Sequence, residues 1–206
     1  CLGPSTLSQF LTENSCIRQL WLQNRFKSEN SDSVFLEKYK LQHTSSLNNL
    51  IKYLQKIYPN GTVDCELQLP IVQFHGINLF GIIDCLLTFP DGSIGIFDVK
   101  TGARKTSHWL QIALYFLMQK AINRSKGLAD PKLHSLGLFY SDGKNPITKE
   151  TFQKSLIQLN GDSALDQIFL EGTKTKLKEI LLLASQKDLP DSRPTINNCK
   201  YCKFSN

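Results

Sequence analysis

The sequence predicts an α/β fold in which a mixed sheet is flanked by helices. Three observations carry that prediction. Strand-like patterns occupy three stretches between Val63 and Thr101, apolar residues at helical spacing fill about Thr106 to Asn123, and a further apolar strand pattern follows near Leu133–Tyr140. Antiparallel strands, then a helix, then another strand describe a sheet with helices packed against it. With 206 residues the chain can bury one good core, and no second complete domain is marked, so a single domain over residues 1–206 is expected.

The elements follow in order. Helical patterning extends to about Tyr58, and its last helix starts close to His43 and runs through Leu47, Leu50, Ile51 and Leu54. Val63-Asp64-Cys65-Glu66-Leu67-Gln68-Leu69 alternates polar and apolar residues, the pattern of a half-exposed strand. Gly81-Ile82-Ile83-Asp84 and the apolar residues up to Phe89 form the next strand. Pro90-Asp91-Gly92 turns the chain, and Ser93 to Lys100 returns as its hairpin partner. In the helix that follows, Thr106 or Ser107 can cap the start, and Leu110, Ile112, Ala113, Leu114, Phe116 and Leu117 leave it largely buried. Beyond the strand near Leu133–Tyr140, a hydrophilic stretch from Ser141 to Thr151 passes into a helical pattern around Phe152–Leu159. A longer helix covers about Asp162 to Ser185, with Leu165, Ile168, Phe169, Leu177, Ile180 and Leu181 on its apolar side.

The hairpin holds the most informative residues. If Phe89 faces Ser93 across the turn, counting outward sets Asp84 opposite Asp98. Facing residues have Cβ atoms roughly 4.5–5.5 Å apart, and like charges there repel. Two such carboxylates in an apolar sheet call for a cation between them. Mg²⁺ takes oxygen ligands from one or two carboxylates and keeps several waters. Lys100 lies two residues beyond Asp98, so the pleat sets it on the same face. An ammonium beside a metal-bound acid pair suits attack by water on a phosphodiester. The plain alternative is a surface hairpin with solvated charge pairs. Against it stands the setting: Asp84 lies among Leu79, Phe80, Ile82, Ile83, Leu86 and Leu87, and Asp98 follows Ile94, Ile96 and Phe97. An unpaired carboxylate is costly there.

On the following helix Gln111 and Tyr115 are spaced i, i+4 and share a face, with His108 one turn earlier. Alone these three read as an ordinary polar stripe. Together with the hairpin, however, Gly81-x-x-Asp84, Asp98-Val99-Lys100-Thr101-Gly102 and Gln111-x-x-x-Tyr115 resemble the RecB-like branch of the PD-(D/E)XK nuclease superfamily. The resemblance implies that family's αβββαβ core and a metal-dependent nuclease activity. It implies Mg²⁺ or Mn²⁺ held by Asp84, Asp98, the carbonyl of Val99 and His43, since many members place a metal-binding histidine on a helix before the sheet. Lys100 would serve the chemistry, and Gln111 and Tyr115 would position the DNA backbone or support the metal shell. The family often carries a glutamate in the strand before the hairpin, which makes Glu66 a candidate for the rim of the site. A solvated strand residue is the alternative for Glu66.

The chain has six cysteines. Cys65 and Cys85 lie in apolar strands and are expected in the core. Cys199-Lys200-Tyr201-Cys202 is a C-x-x-C near the C-terminus, and Cys16 precedes Ile17-Arg18-Gln19-Leu20-Trp21. This arrangement resembles the RecB-like nucleases that clamp their two ends with a [4Fe–4S] iron–sulfur cluster, among them the CRISPR-associated single-strand DNA exonucleases. Cys16, Cys199 and Cys202 match three ligand places. No cysteine follows Cys202 up to Asn206, so a fourth ligand would be Cys1, a residue beyond 206 or a non-cysteine group. Zinc is an alternative occupant of a C-x-x-C site.

A net charge of +6 suits an anionic partner. Arg104 and Lys105 follow the hairpin, Arg18 and Arg25 lie near the start, and Lys174, Lys176 and Lys178 lie on the late helix. Phosphate contacts by Arg18, Arg104 and Lys105 would give salt-sensitive, sequence-independent binding to DNA. Trp21, Trp109 and Tyr115 are candidates for stacking on single-stranded bases, although Trp109 also fits the core. No apolar run is long enough to span a bilayer, and a cytoplasmic protein without a membrane partner is expected. The resulting expectation is a DNA exonuclease acting on single strands or strand ends in repair, recombination or CRISPR adaptation, with protein partners from those pathways. A catalytically inactive DNA-binding or assembly module of the same fold is the main alternative. A housekeeping α/β domain with a zinc knuckle is a third reading.

Overall fold

The computed structural model describes residues 2–12, 16–25, 34–101, 103–140, 150 and 164–188. Helices α1 (Pro4–Phe10), α2 (Ile17–Arg25) and α3 (Val34–Ile57) come first. Five strands follow: β1 (Thr62–Gln68), β2 (Val72–Phe74), β3 (Ile77–Leu79), β4 (Ile82–Thr88) and β5 (Ile94–Lys100). Then come α4 (Thr106–Ser125), β6 (Leu133–Tyr140) and α5 (Ala164–Ser185).

The main sheet has the order β1-β4-β5-β6. β1, β4 and β5 are antiparallel neighbours, and β6 adds parallel to β5 after the crossover through α4. This is the expected mixed sheet. The β4–β5 turn is held locally. Phe89 N donates to Ser93 O at 2.9 Å, and Asp91 Oδ1 accepts from Ser93 N at 3.0 Å and Ser93 Oγ at 2.6 Å. Gly92 supplies the left-handed φ of 79° that the turn needs. The register then runs Thr88↔Ile94 to Cys85↔Phe97, and Asp84 and Asp98 are the next residues of the two strands.

Each face of the sheet has its own core. Ile83, Ile96 and Leu136 pack with Leu7 of α1, Ile112 and Leu114 of α4 and Leu181 of α5. On the other face Cys85, Leu87, Phe97, Val99 and Phe139 pack under Leu47, Leu50 and Leu54 of α3. Leu50 is fully buried, and its truncation to Ala costs about 2–5 kcal/mol. β5, second from the β6 edge and covered on both faces, is buried at every residue except the half-buried Lys100.

Several expectations are corrected. Where three strands were read between Val63 and Thr101, a further hairpin, β2–β3, intervenes. Its strands of three residues are too short for alternation to show, and its turn uses left-handed backbone at His75 and Gly76. α3 reaches back to Val34, which puts His43 in its interior rather than at its start. Cys85 is buried as expected, but Cys65 is exposed because β1 is an edge strand with one open side. The pattern around Phe152–Leu159 lies outside the described residues. Among those residues, no helix is long and apolar enough to cross a membrane.

Candidate active site

Strand β5 delivers Asp98, Val99 and Lys100 to a surface cavity of about 520 Å³, with His43, Asp84, Lys105, His108 and Gln111 also on its wall. Three elements converge there: α3 on one face of the sheet, α4 on the other, and the hairpin strands between them.

Asp84 is held from two sides. Its Oδ2 accepts from Val99 N at 2.8 Å and lies 3.0 Å from His43 Nε2. That contact raises the His43 pKa above its ordinary value, against the opposing effect of burial, and the charges of Asp84 and Asp98 add to the rise. Asp98 is only 2% exposed. Burial raises its pKa, the neighbouring Asp84 charge adds to the rise, and Lys100 and His43 oppose it. Gln111 Nε2 donates to Asp98 Oδ1 at 3.1 Å, while Gln111 Oε1 accepts from Lys100 Nζ at 3.0 Å. Lys100 Nζ also lies 2.6 Å from Asp98 Oδ2, so the buried carboxylate is ion-paired.

The chemistry of this donor set is the test of whether a metal fits. No group of three or more His, Cys, Asp or Glu side chains among the described residues forms a ready metal cage. Mg²⁺ does not require one, because one or two carboxylates and several waters satisfy it. Two neighbouring carboxylates, one of them buried with a raised pKa, suit a hard divalent ion.

The structure separates the remaining candidates. Tyr115 is buried, so it cannot stack on bases. Its hydroxyl lies 3.5 Å from Gln111 Nε2 and shares a hydrogen bond with the backbone of Ile82. Burial, with the Asp98 charge, pushes its phenol pKa up. The ring explains Gly81: a Cβ there would come 2.7 Å from Tyr115 Cε1 and 3.1 Å from Pro4 Cδ. Glu66 is exposed, has a left-handed φ of 46° and does not line the cavity. Trp21 donates from Nε1 to Gln186 O at 3.0 Å and carries the Arg25 guanidinium 3.9 Å from its ring centre, so it is engaged within the protein. Trp109 is half-buried against the larger core. Arg104 is exposed, 5.3 Å from the Tyr140 ring centre, and Arg18 is exposed on α2 away from the cavity wall. Lys105 does line the cavity. Cys16 is a half-buried free thiol, whereas Cys199 and Cys202 lie outside the described residues.

One neighbour was not readable in the sequence. Tyr140 hydroxyl meets His108 Nδ1 at 2.7 Å. It is brought there by the parallel register that pairs Lys100 with Tyr140. Burial, with Lys100 and Lys105 nearby, lowers the His108 pKa, which keeps the ring neutral near pH 7.

No curated protein matches the chain. The crystal structure of SSO0001 is similar, with a TM-score of 0.48 and 16% identity over 99% of this chain and 83% of that one. The profile of the PD-(D/E)XK nuclease superfamily matches residues 5–206, from α1 to the C-terminus. Because that match spans the sheet, both helical layers and the cavity at the end of β5, the chain belongs to the PD-(D/E)XK nuclease superfamily, whose members are in general metal-dependent nucleases.

Proposed function

We propose that this protein is a metal-dependent DNA exonuclease of the RecB-like branch, acting on single strands or strand ends in repair, recombination or CRISPR adaptation. The observation that carries the reading is the buried Asp98 carboxylate beside Asp84, held by Lys100 and Gln111 at the wall of the cavity. Asp84, Asp98, the Val99 carbonyl and His43 would hold Mg²⁺ or Mn²⁺. The ion would lower the pKa of a bound water and offset charge on the phosphate under attack. Lys100, aligned by Asp98 and Gln111, stabilises negative charge that develops on phosphorus. Gln111 is a positioning residue, and Tyr115 supports it from below. Lys105, at the cavity mouth, takes a flanking phosphate, with Arg104 and Arg18 further along the strand. Glu66 keeps a place at the rim only if the strand bends past β1.

A terminal clamp belongs to the same proposal, with Cys16, Cys199 and Cys202 ligating a [4Fe–4S] cluster. It is supported by contacts that follow Cys16 directly. Trp21 and Arg25 of α2 bond to the carbonyls of Ala184 and Gln186 at the end of α5. The helix that starts beside Cys16 is therefore held against the segment leading into the C-x-x-C tail.

The test is incubation of anaerobically purified protein with end-labelled single-stranded DNA, with Mn²⁺ or with EDTA, beside Asp98→Ala. Metal-dependent trimming from one end, absent in the variant, is the expected result. DNA shifted on a gel but uncut in every lane would replace this reading with the inactive binding module.

A further inference from the structure

A second cavity, of about 730 Å³, opens where the end of α1, the first turn of α4 and the middle of α5 meet. Lys105 lines both this cavity and the one holding Asp84 and Asp98, so they adjoin across a single side chain. Phe169, Gly172 and Lys176 form its α5 wall, at positions i, i+3 and i+7 on one helix face. Ser107 and Leu110 of α4 stand opposite. Among the described residues, no acidic side chain lines it.

Gly172 is the informative member. It stands in the interior of α5, where glycine is less favourable than any residue except proline. Packing does not require it, since a Cβ built there meets no atom within 4 Å. Nor does backbone geometry, since its φ is not left-handed. The absent side chain leaves this stretch of the α5 wall open to the groove. The lysines of α5 separate in the same sense. Lys176 faces this groove, whereas Lys174 and Lys178 line a different cavity beside Phe74 and Arg124.

We infer that this groove carries a single nucleic-acid strand onward from the scissile position. An unpaired base lies on Leu110 and Phe169, Lys105 and Lys176 meet the phosphates on either side, and Gly172 keeps the lane wide enough. An apolar floor is useful only to a base that is not paired, so the occupant is a single strand. The inference rests on the nuclease reading above and gives it a path for substrate.

The test compares Gly172→Trp, Gly172→Ala and Lys176→Glu with the unmodified chain. Each is assayed with Mn²⁺ on a long oligothymidylate and on bis(p-nitrophenyl) phosphate, and for binding of the dye-labelled oligothymidylate in Ca²⁺. Gly172→Ala should melt higher and cut like the parent. Gly172→Trp and Lys176→Glu should melt as the parent does and hydrolyse the small diester normally. Each should lose about tenfold or more in binding and cleavage of the oligonucleotide. Unchanged oligonucleotide binding in a well-folded Gly172→Trp or in Lys176→Glu overturns the groove. A parent that binds the strand in the groove but hydrolyses neither substrate overturns the nuclease reading alone. A parent that binds no strand yet hydrolyses the small diester overturns the groove alone, and one that does neither overturns both.

Discussion

Gln111 and Asp98 are joined across the gap between α4 and β5, the amide Nε2 donating to the carboxylate Oδ1 at 3.1 Å. The other end of the same amide accepts from Lys100 at 3.0 Å. One neutral side chain thus braces an acid and a base that also touch each other. Gln111→Leu should cost about 1–3 kcal/mol in urea unfolding, because a buried carboxylate loses a side-chain donor. It should also lower kcat more than it raises KM. Gln111→Glu restores the volume but sets a third negative charge beside Asp98, and should be less stable than Gln111→Leu at neutral pH.

The acid cluster predicts an inverted pH profile for the metal-free protein. Asp98 binds its proton more tightly folded than unfolded, so stability falls as pH rises from the ordinary carboxylate pKa through its raised value. The raised pKa of His43 acts in the same sense: its stabilisation is complete below its ordinary pKa and is lost as pH climbs through the folded value. On the proposed assignment Mn²⁺ would take the place of those protons, so the rise in melting temperature on adding Mn²⁺ should grow with pH across this range. Asp98→Asn should remove the metal response and the cleavage while leaving the metal-free protein as stable as the parent or more so at neutral pH. A metal-induced shift that is flat with pH would contradict this assignment of the acids.

Gly81→Ala forces a methyl to within 2.7 Å of the Tyr115 ring and 3.1 Å of Pro4. Overpacking of this kind costs about 1–3 kcal/mol. In a Tyr115→Ala background the same substitution should cost less, and the difference is the coupling read by a double-mutant cycle. Additive effects would mean that the backbone moves aside instead.

The proposed clamp predicts colour and iron. Protein purified without oxygen should absorb broadly in the visible and contain iron, and Cys16→Ser, Cys199→Ser or Cys202→Ser should each bleach it. Zinc in place of iron in the untreated protein would move the C-x-x-C to the other occupant. Arg25→Ala, which removes the contacts to Ala184 and Gln186, should speed cluster loss without touching a ligand.

The site was legible in the sequence wherever its geometry is local. Pro90-Asp91-Gly92 defines the turn, and two strands counted outward from it give the register as far as Cys85 and Phe97, the neighbours of Asp84 and Asp98. Gln111 and Tyr115 were legible as one helical face, but the burial of Tyr115 depends on Gly81, a strand away. Tyr140 could not be placed because a parallel register is set by a whole crossover rather than by a turn. Cys65 and Cys85 look alike in sequence and differ only because one lies on the sheet edge and the other beneath α3. Likewise, Lys174, Lys176 and Lys178 form one charge run in the sequence and split onto different cavities once the helix turns.

The balance of charge on the cavity wall has a thermodynamic corollary. Asp84 and Asp98 are opposed by Lys100 and Lys105, with His43 a further group that can charge, so the pocket carries groups of both signs. A divalent cation tips that balance by two units. On the proposed assignment, cation and strand would strengthen each other's binding by the same factor, as reciprocity demands of any two ligands on one protein. Substrate would recruit metal as surely as metal recruits substrate, and an affinity for Mg²⁺ would be a property of the complex rather than of the chain alone.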